Sequence, residues 1–231
     1  MGASQGIGMT KEWSKWLRSA ACDFNIEVDE KTLRLLGGFV EELLSANQTT
    51  NLTAITDPEE IAESLILDSI IPGKYLFEKK QILDLGTGGG FPGIPLKIVF
   101  SELNLTLIDA RRKKINFLKY VIRQLGLEDI VARQIRAEEL AGQGARFDVV
   151  ITRAVSSLDA LVKMALPLLK KDGVFIAMKG SHYQAEIDAL KQETLIKTGR
   201  EKYAVRQLAI DVETYRLPVL GILRALIFVR V

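Results

Sequence analysis

ILDLGTGGGFPGIPL, residues 82–96, sets five glycines and two prolines behind a short apolar run that ends in an acid. Glycines clustered where a strand hands over to a helix let main-chain amides lie against a ligand. A phosphate-binding Walker loop needs Lys and then Ser or Thr after its last glycine, to reach the terminal phosphates and magnesium. Neither follows here. Gly88, Gly90 and Gly93 satisfy the dinucleotide spacing GxGxxG, a weak pattern alone, but that register encloses Pro92 and leaves Gly86 without a role.

The register that begins at Asp84 accounts for more. Asp84-Leu85-Gly86-Thr87-Gly88-Gly89-Gly90 resembles the first motif of class I S-adenosylmethionine methyltransferases, an acid followed by GxGxG. A ligand carrying an amino acid in place of a pyrophosphate wants a carboxylate near its ammonium, which gives Asp84 a purpose. Asp84, Gly86, Thr87, Gly88 and Gly90 are therefore the candidate cofactor-binding turn.

Outward from the loop, short apolar runs alternate with amphipathic stretches. Strands are expected at 81–85, 104–109, 130–135, 147–151 and 173–178, with helices at 92–100, 111–125, 157–170 and 182–197. Alternation of this kind predicts a mostly parallel sheet with helices on both faces. Two last strands, near 203–212 and 222–230, follow one another without a long helix and fit an antiparallel edge pair, making seven. The fold class expected is α/β, a Rossmann-like class I methyltransferase with an N-terminal helical subdomain. The division expected is a helical lid over 1–80 and a cofactor-binding core over 81–231. In the first part Trp13, Trp16 and Leu17, then Leu33, Leu36, Val40, Leu43 and Leu44, recur at helical spacing. Asp57-Pro58-Glu59-Glu60 is a start signal for a helix reaching about Ile70, with Glu60 placed for a capping box.

Composition narrows the class. The 231 residues carry 31 basic and 29 acidic side chains, so any nucleic-acid surface must be a local patch. Cys22 is the only cysteine, which excludes an internal disulfide and a cysteine-rich metal site and suits a reducing, cytoplasmic setting. It is expected to be a small buried residue. The opening MGASQGIG imitates a short-chain dehydrogenase loop but lacks a strand before it. It is read as a disordered start, neither a secretory signal nor a myristoylation site. No apolar run reaches transmembrane length.

The remaining candidates lie at strand ends. Asp109 closes LNLTLID about twenty residues past the glycines, where an acid takes the ribose hydroxyls in nicotinamide enzymes and methyltransferases alike. Ala137 and Glu138 follow the third strand, where methyltransferases meet adenine; Glu138 also suits a helix N-terminal charge. Thr152 and Arg153 end FDVVITRAV, and Arg153 is the catalytic candidate, a solvated or capping charge being the plainer alternative. The fourth strand end holds Thr152-Arg153-Ala154, not the Asn/Asp-Pro-Pro-aromatic of exocyclic-amine methylation. Cys22 is too remote to attack a pyrimidine. Acceptors already nucleophilic remain, and guanine N7 is one. His182 is not needed.

NLTAIT (51–56), ILDSI (66–70), LDLGTGGGFPGIPLKIV (83–99), IDARRKKINFLKYVIRQLGLEDI (108–130), RAEEL (136–140), ITRAVSSL (151–158) and MKG (178–180) resemble, in order and spacing, the glucose-inhibited division protein B family. The resemblance runs from about residue 30 to the last strand. It implies a ribosomal RNA small-subunit methyltransferase G that uses S-adenosylmethionine on a guanine N7 of 16S rRNA; a monomer with no metal and no membrane partner is the separate expectation for the chain. It further implies that Gly86 and Phe91 line the methionine turn, that Asp109 takes the ribose, that Ala137 and Glu138 reach adenine, and that Arg153 stands near methyl transfer. Many members carry Arg-His where this chain has Ser64-Leu65, so these two are left out of the site. Arg111, Arg112, Lys113, Lys114 and Lys179 are the RNA-binding candidates, a solvated helix face being the alternative. Asp68 is a candidate for stabilising the cationic product ring. A small-molecule methyltransferase, a non-catalytic ribosome-assembly factor and a nicotinamide oxidoreductase stay open as rivals.

Overall fold

A computed structural model describes residues 11–76, 81–153, 156–193, 195–198 and 201–231. The MGASQGIG segment and Ala154 lie outside the described residues. Helices α1 (Lys11–Cys22) and α2 (Glu30–Thr50) come first. Asp29 caps α2 by accepting from Thr32 N at 2.7 Å, and Asn51 ends it at φ 47°, a left-handed stop that Asn tolerates. A third helical stretch, α3, is α-helical over Pro58–Glu60, a π-helix over Ile61–Leu67, α-helical again over Asp68–Ile70 and 3₁₀ over Ile71–Tyr75. Asp57 caps it through Glu59 N and Glu60 N at 3.1 and 2.9 Å. All ten residues of 61–70 are buried.

From Gln81 the alternation is as expected. β1 (Gln81–Leu85), β2 (Asn104–Asp109), β3 (Ile130–Gln134), β4 (Phe147–Thr152) and β5 (Leu169–Lys179) are joined in turn by α4 (Gly93–Val99), α5 (Arg112–Gln124), α6 (Ala137–Gly142) and α7 (Leu158–Ala165). α8 (Tyr183–Gln192) follows, then β6 (Leu195–Thr198), β7 (Glu201–Ala204), β8 (Ala209–Arg216) and β9 (Leu223–Arg230). Seven strands pair in the order β3-β2-β1-β4-β5-β9-β8. Only β9 runs against its neighbours.

Three expectations are corrected. The helix over 182–197 stops at Gln192, and residues 195–204 form the small β6–β7 hairpin instead. Ile196, β-branched and fully buried, seats that hairpin on the core. The strand expected at 203–212 accordingly begins at Ala209. Cys22, expected inside, is exposed at the end of α1.

Strand alternation builds two cores. Ile82, Leu105, Leu107, Val149, Ile151 and Ile176 face a cluster shared with Leu17, Leu36, Phe39 and Leu43 of the N-terminal helices. Leu83, Leu85, Ile108, Val150, Phe175 and Ala177 face the opposite cluster with α7 and α8. The N-terminal helices thus share one continuous core with the sheet. Strand order, not strand direction, reverses between the parallel β1 and β4, so the crevice at their carboxyl ends is where doubly wound sheets hold ligands.

Candidate active site

The glycine loop is bound to its neighbour strand: Gly86 N and Thr87 N both donate to Ile108 O at 3.0 Å. Gly86 and Gly88 sit at φ 73° and 59°, and they are the parts of the turn open to solvent, while Gly89 and Gly90 are buried. Asp109, at the end of β2, accepts from Gly88 N at 3.2 Å and from Arg111 N at 2.7 Å. Its partly exposed carboxylate therefore stands at the lip of the turn.

Asp84 does not. It is wholly buried, and its Oδ2 accepts from Gly93 N at 2.9 Å. The reading that set its carboxylate beside a ligand's ammonium is corrected: Asp84 ties the loop to α4 from beneath. Burial pushes its carboxyl up to about 7, and the Asp109 charge adds a smaller push. The Gly93 amide and the nearby Thr87 hydroxyl pull the other way, although neither Thr87 Oγ1 nor Asp84 Oδ1 has a well-formed hydrogen bond. Between the ordinary value of 3.8 and about 7 the folded chain holds a proton that the unfolded chain has released. Stability is therefore expected to fall as pH rises through that window, by roughly 1.4 kcal/mol per unit at most. Asp84→Asn, which keeps an acceptor for Gly93 N, should flatten the slope in denaturant titrations made at both ends of the window. An unchanged slope would refute the assignment.

Phe91 is corrected too. It is 8% exposed and packs on Phe39 of α2, ring centroids 5.3 Å apart, so it fastens the loop to the N-terminal helices instead of lining the turn. Ala137 and Glu138 open α6 beyond the end of β3, Ala137 buried and Glu138 exposed.

Arg153, just past β4, is held by α3. Its Nε lies 3.1 Å from Asp68 Oδ2, and its Nη2 donates to the carbonyl of Ser64. Asp68 is buried and also accepts from Tyr215 of β8 at 2.7 Å, with Arg224 Nε of β9 at 3.4 Å. Burial, with Asp68 beside it, drives the Tyr215 phenol far above the ordinary tyrosine range, so it remains a donor. Asp68 is thus a buried hub of ion pairs. Ser64, set aside on its side chain, contributes a main-chain oxygen that any residue could offer. Nearby, Glu63 Oε1 and Oε2 accept from Val219 N and Leu220 N at 2.6 and 2.9 Å, clamping the β8–β9 turn to α3. No sequence pattern signalled Tyr215, Arg224 or Glu63.

The basic run divides. Arg111, Arg112 and Lys113 are exposed, but Lys114 is half-buried, and its Nζ lies 3.6 Å from where a Cβ on Gly88 would stand. Its charge belongs to the glycine loop. Lys179 is only 8% exposed and is engaged by Glu186 at 2.7 Å and Ser156 O at 2.5 Å. The expectation that it offers a surface charge to RNA is corrected. His182 is exposed at the start of α8, away from these contacts. No helix among the described residues is long and apolar enough to cross a membrane.

The family model of rRNA small subunit methyltransferase G matches residues 32–212. The chain belongs to that family. The ribosomal RNA small subunit methyltransferase G of Geobacter sp. (strain M21) is 40% identical over 186 residues, 80% of this chain and 86% of that protein. That of Alkaliphilus metalliredigens is 38% identical, covering 81% of each. Among solved structures, NSun6 from Pyrococcus horikoshii with SFG superposes with a TM-score of 0.55 at 13% identity, over 71% of this chain and 51% of that one. P. horikoshii TYW2 in complex with MeSAdo gives 0.52 at 12% identity, over 76% and 64%. Likeness at that identity concerns the fold alone, and the methyltransferase G family shares the class I methyltransferase fold.

Proposed function

We propose that this chain, as a single subunit without a metal, transfers a methyl group from S-adenosylmethionine to N7 of a guanine in 16S rRNA. The observation that carries the reading is the coincidence of family and site: the open Gly86–Gly88 turn, Asp109 and Arg153 meet at the carboxyl ends of β1, β2 and β4. S-adenosylmethionine, when bound, supplies an electrophilic methyl on a sulfonium. The turn fits such a group. Asp109 suits the ribose hydroxyls, Gly86 and Gly88 leave room for the ligand to lie on the backbone, and Lys114 offers a cation for an amino-acid carboxylate. Ala137 and Glu138 are suited to the adenine by position.

Guanine N7 attacks the methyl carbon with its ring lone pair as the carbon–sulfur bond breaks, its electrons going to sulfur. No proton leaves, so no base is needed, and the protein's task is to hold N7 in line. The ring gains positive charge, which fixed acids and dipoles favour. The N-terminal helices act here as the lid, since α3 holds Arg153 through Asp68 and Ser64.

Exposed Arg111, Arg112 and Lys113 beside the cofactor turn suit phosphates. Neutralising Arg112 and Lys113 together is expected to raise the KM for RNA and lower the steepness of its salt dependence by about two phosphate contacts, with cofactor affinity unchanged. Unchanged salt dependence would remove these residues from the interface. The function itself is tested by incubating the protein with radiolabelled S-adenosylmethionine and unmodified small subunits, beside naked 16S rRNA, and identifying the labelled nucleoside. Labelled 7-methylguanosine is expected. Cofactor binding with no labelled nucleoside on either substrate would overturn the reading.

A further inference from the structure

A cavity of about 430 Å³ opens at the ends of β4, β5 and β9, one strand beyond the cofactor turn, with Arg153, Met178, Lys179, Glu186 and Arg224 in its wall. That volume lies in the range of small-ligand pockets, roughly 300–1,000 Å³. Most of its charges are engaged with one another. Asp68 is taken up by Tyr215, Arg153 and Arg224. Glu186 accepts from Lys179 Nζ and from Leu158 N, each at 2.7 Å, and both bonds fall on Oε2. Among the described residues no donor reaches Glu186 Oε1. Arg224 Nε is buried and meets Asp68 as an ion pair at 3.4 Å without a well-formed hydrogen bond. A carboxylate with one uncommitted oxygen thus lies in the wall of this space, beside cations already held in ion pairs and the apolar Met178.

We propose that this cavity receives the acceptor base and that Glu186, held by Lys179, selects guanine through its Watson–Crick edge. The inference rests on the methylation reading above. Guanine presents an acceptor at O6 and donors at N1 and the N2 amino group, which a carboxylate flanked by cations complements. Adenine presents a donor at N6 and an acceptor at N1, and meets unpaired groups there. A base whose N1–H and N2–H share the open Oε1 of Glu186 turns its N7 edge away from that carboxylate, back toward β4 and the cofactor turn. Methylation at N7 makes N1–H a stronger donor, so the bond to Glu186 tightens as charge develops. Glu186 is a specificity-determining residue.

The test measures binding of GMP, IMP and AMP to the protein saturated with S-adenosylhomocysteine, by NMR titration. IMP lacks only the N2 amino group. Wild type is expected to bind GMP about tenfold more tightly than IMP or AMP, and Glu186→Gln to bring the three together. Because Oε2 also holds the Leu158 amide, unchanged S-adenosylhomocysteine affinity serves as the check on folding, and Glu186→Asp, which keeps the charge, should retain part of the preference. Equal binding of all three nucleotides by wild type, no binding of any, or a GMP preference that survives Glu186→Gln overturns the assignment. The two readings fail separately. 7-Methylguanosine formed without a GMP preference removes the pocket and leaves the function; a GMP preference without RNA methylation does the reverse.

Discussion

Asp68→Ala is expected to cost about 3–5 kcal/mol of stability, because it leaves two arginines without their shared buried counter-ion. Arg153 and Arg224 side chains are 18% and 22% exposed, so solvent can do little to compensate. The Tyr215 hydroxyl loses its acceptor in the same step. Denaturant titration measures the loss, and combining the change with Arg153→Met should recover part of it, since the orphaned charge then goes too. Asp68→Asn keeps an acceptor for Tyr215 but removes the charge, and should cost less. Activity gives a separate readout. If Asp68 positions Arg153 at the transfer site, kcat on the small subunit should fall on the order of a hundredfold in Asp68→Asn while S-adenosylhomocysteine affinity holds. A stability loss without a kcat loss would confine the cluster to architecture.

Gly93→Ala is the second large effect. A Cβ there would lie 2.2 Å from Leu107 Cδ2 and 2.7 Å from Asp84 Oδ2. Leu107 is fully buried on β2 and cannot swing into solvent. Overpacking costs about 1–3 kcal/mol, and displacing Asp84 from the Gly93 amide at 2.9 Å adds a lost buried bond of about 1–3 kcal/mol. The melting temperature should drop, and S-adenosylhomocysteine binding should weaken with it because α4 no longer seats under the turn. Gly142→Ala makes the contrast: nothing lies within 4 Å of its Cβ, and in the last position of α6 the change is expected to be neutral or to stabilise by about 0.5–1 kcal/mol. Equal losses at both positions would show that the packing argument is wrong.

Much of this molecule was legible in the chain because its signals are local. Short, nearly continuous apolar runs from Ile82, Leu105 and Val149 mark strands buried on both faces, and a strand places successive side chains on alternate faces whatever surrounds them. The acid at Asp57 and the glycines at 86–90 act within a few residues of themselves. Seven strands, helices between them and a ligand turn after β1 followed from such patterns, as did the position of Asp109 at the end of β2.

What tertiary structure alone decided is which side chains face the ligand space and which lie beneath it. Asp84 and Phe91 sit within the turn's motif, yet one is buried under the loop and the other is packed on Phe39. Lys113 and Lys114 are adjacent in a basic run, but a step of about 100° along the helix exposes one and turns the other to Gly88. The cluster of Asp68, Arg153, Tyr215 and Arg224 joins residues up to 156 positions apart, counted from Asp68 to Arg224, through side chains that are unremarkable in the sequence. Pattern reports the face of an element. The neighbour across that face is set by sheet order, and sheet order is a property of the whole chain.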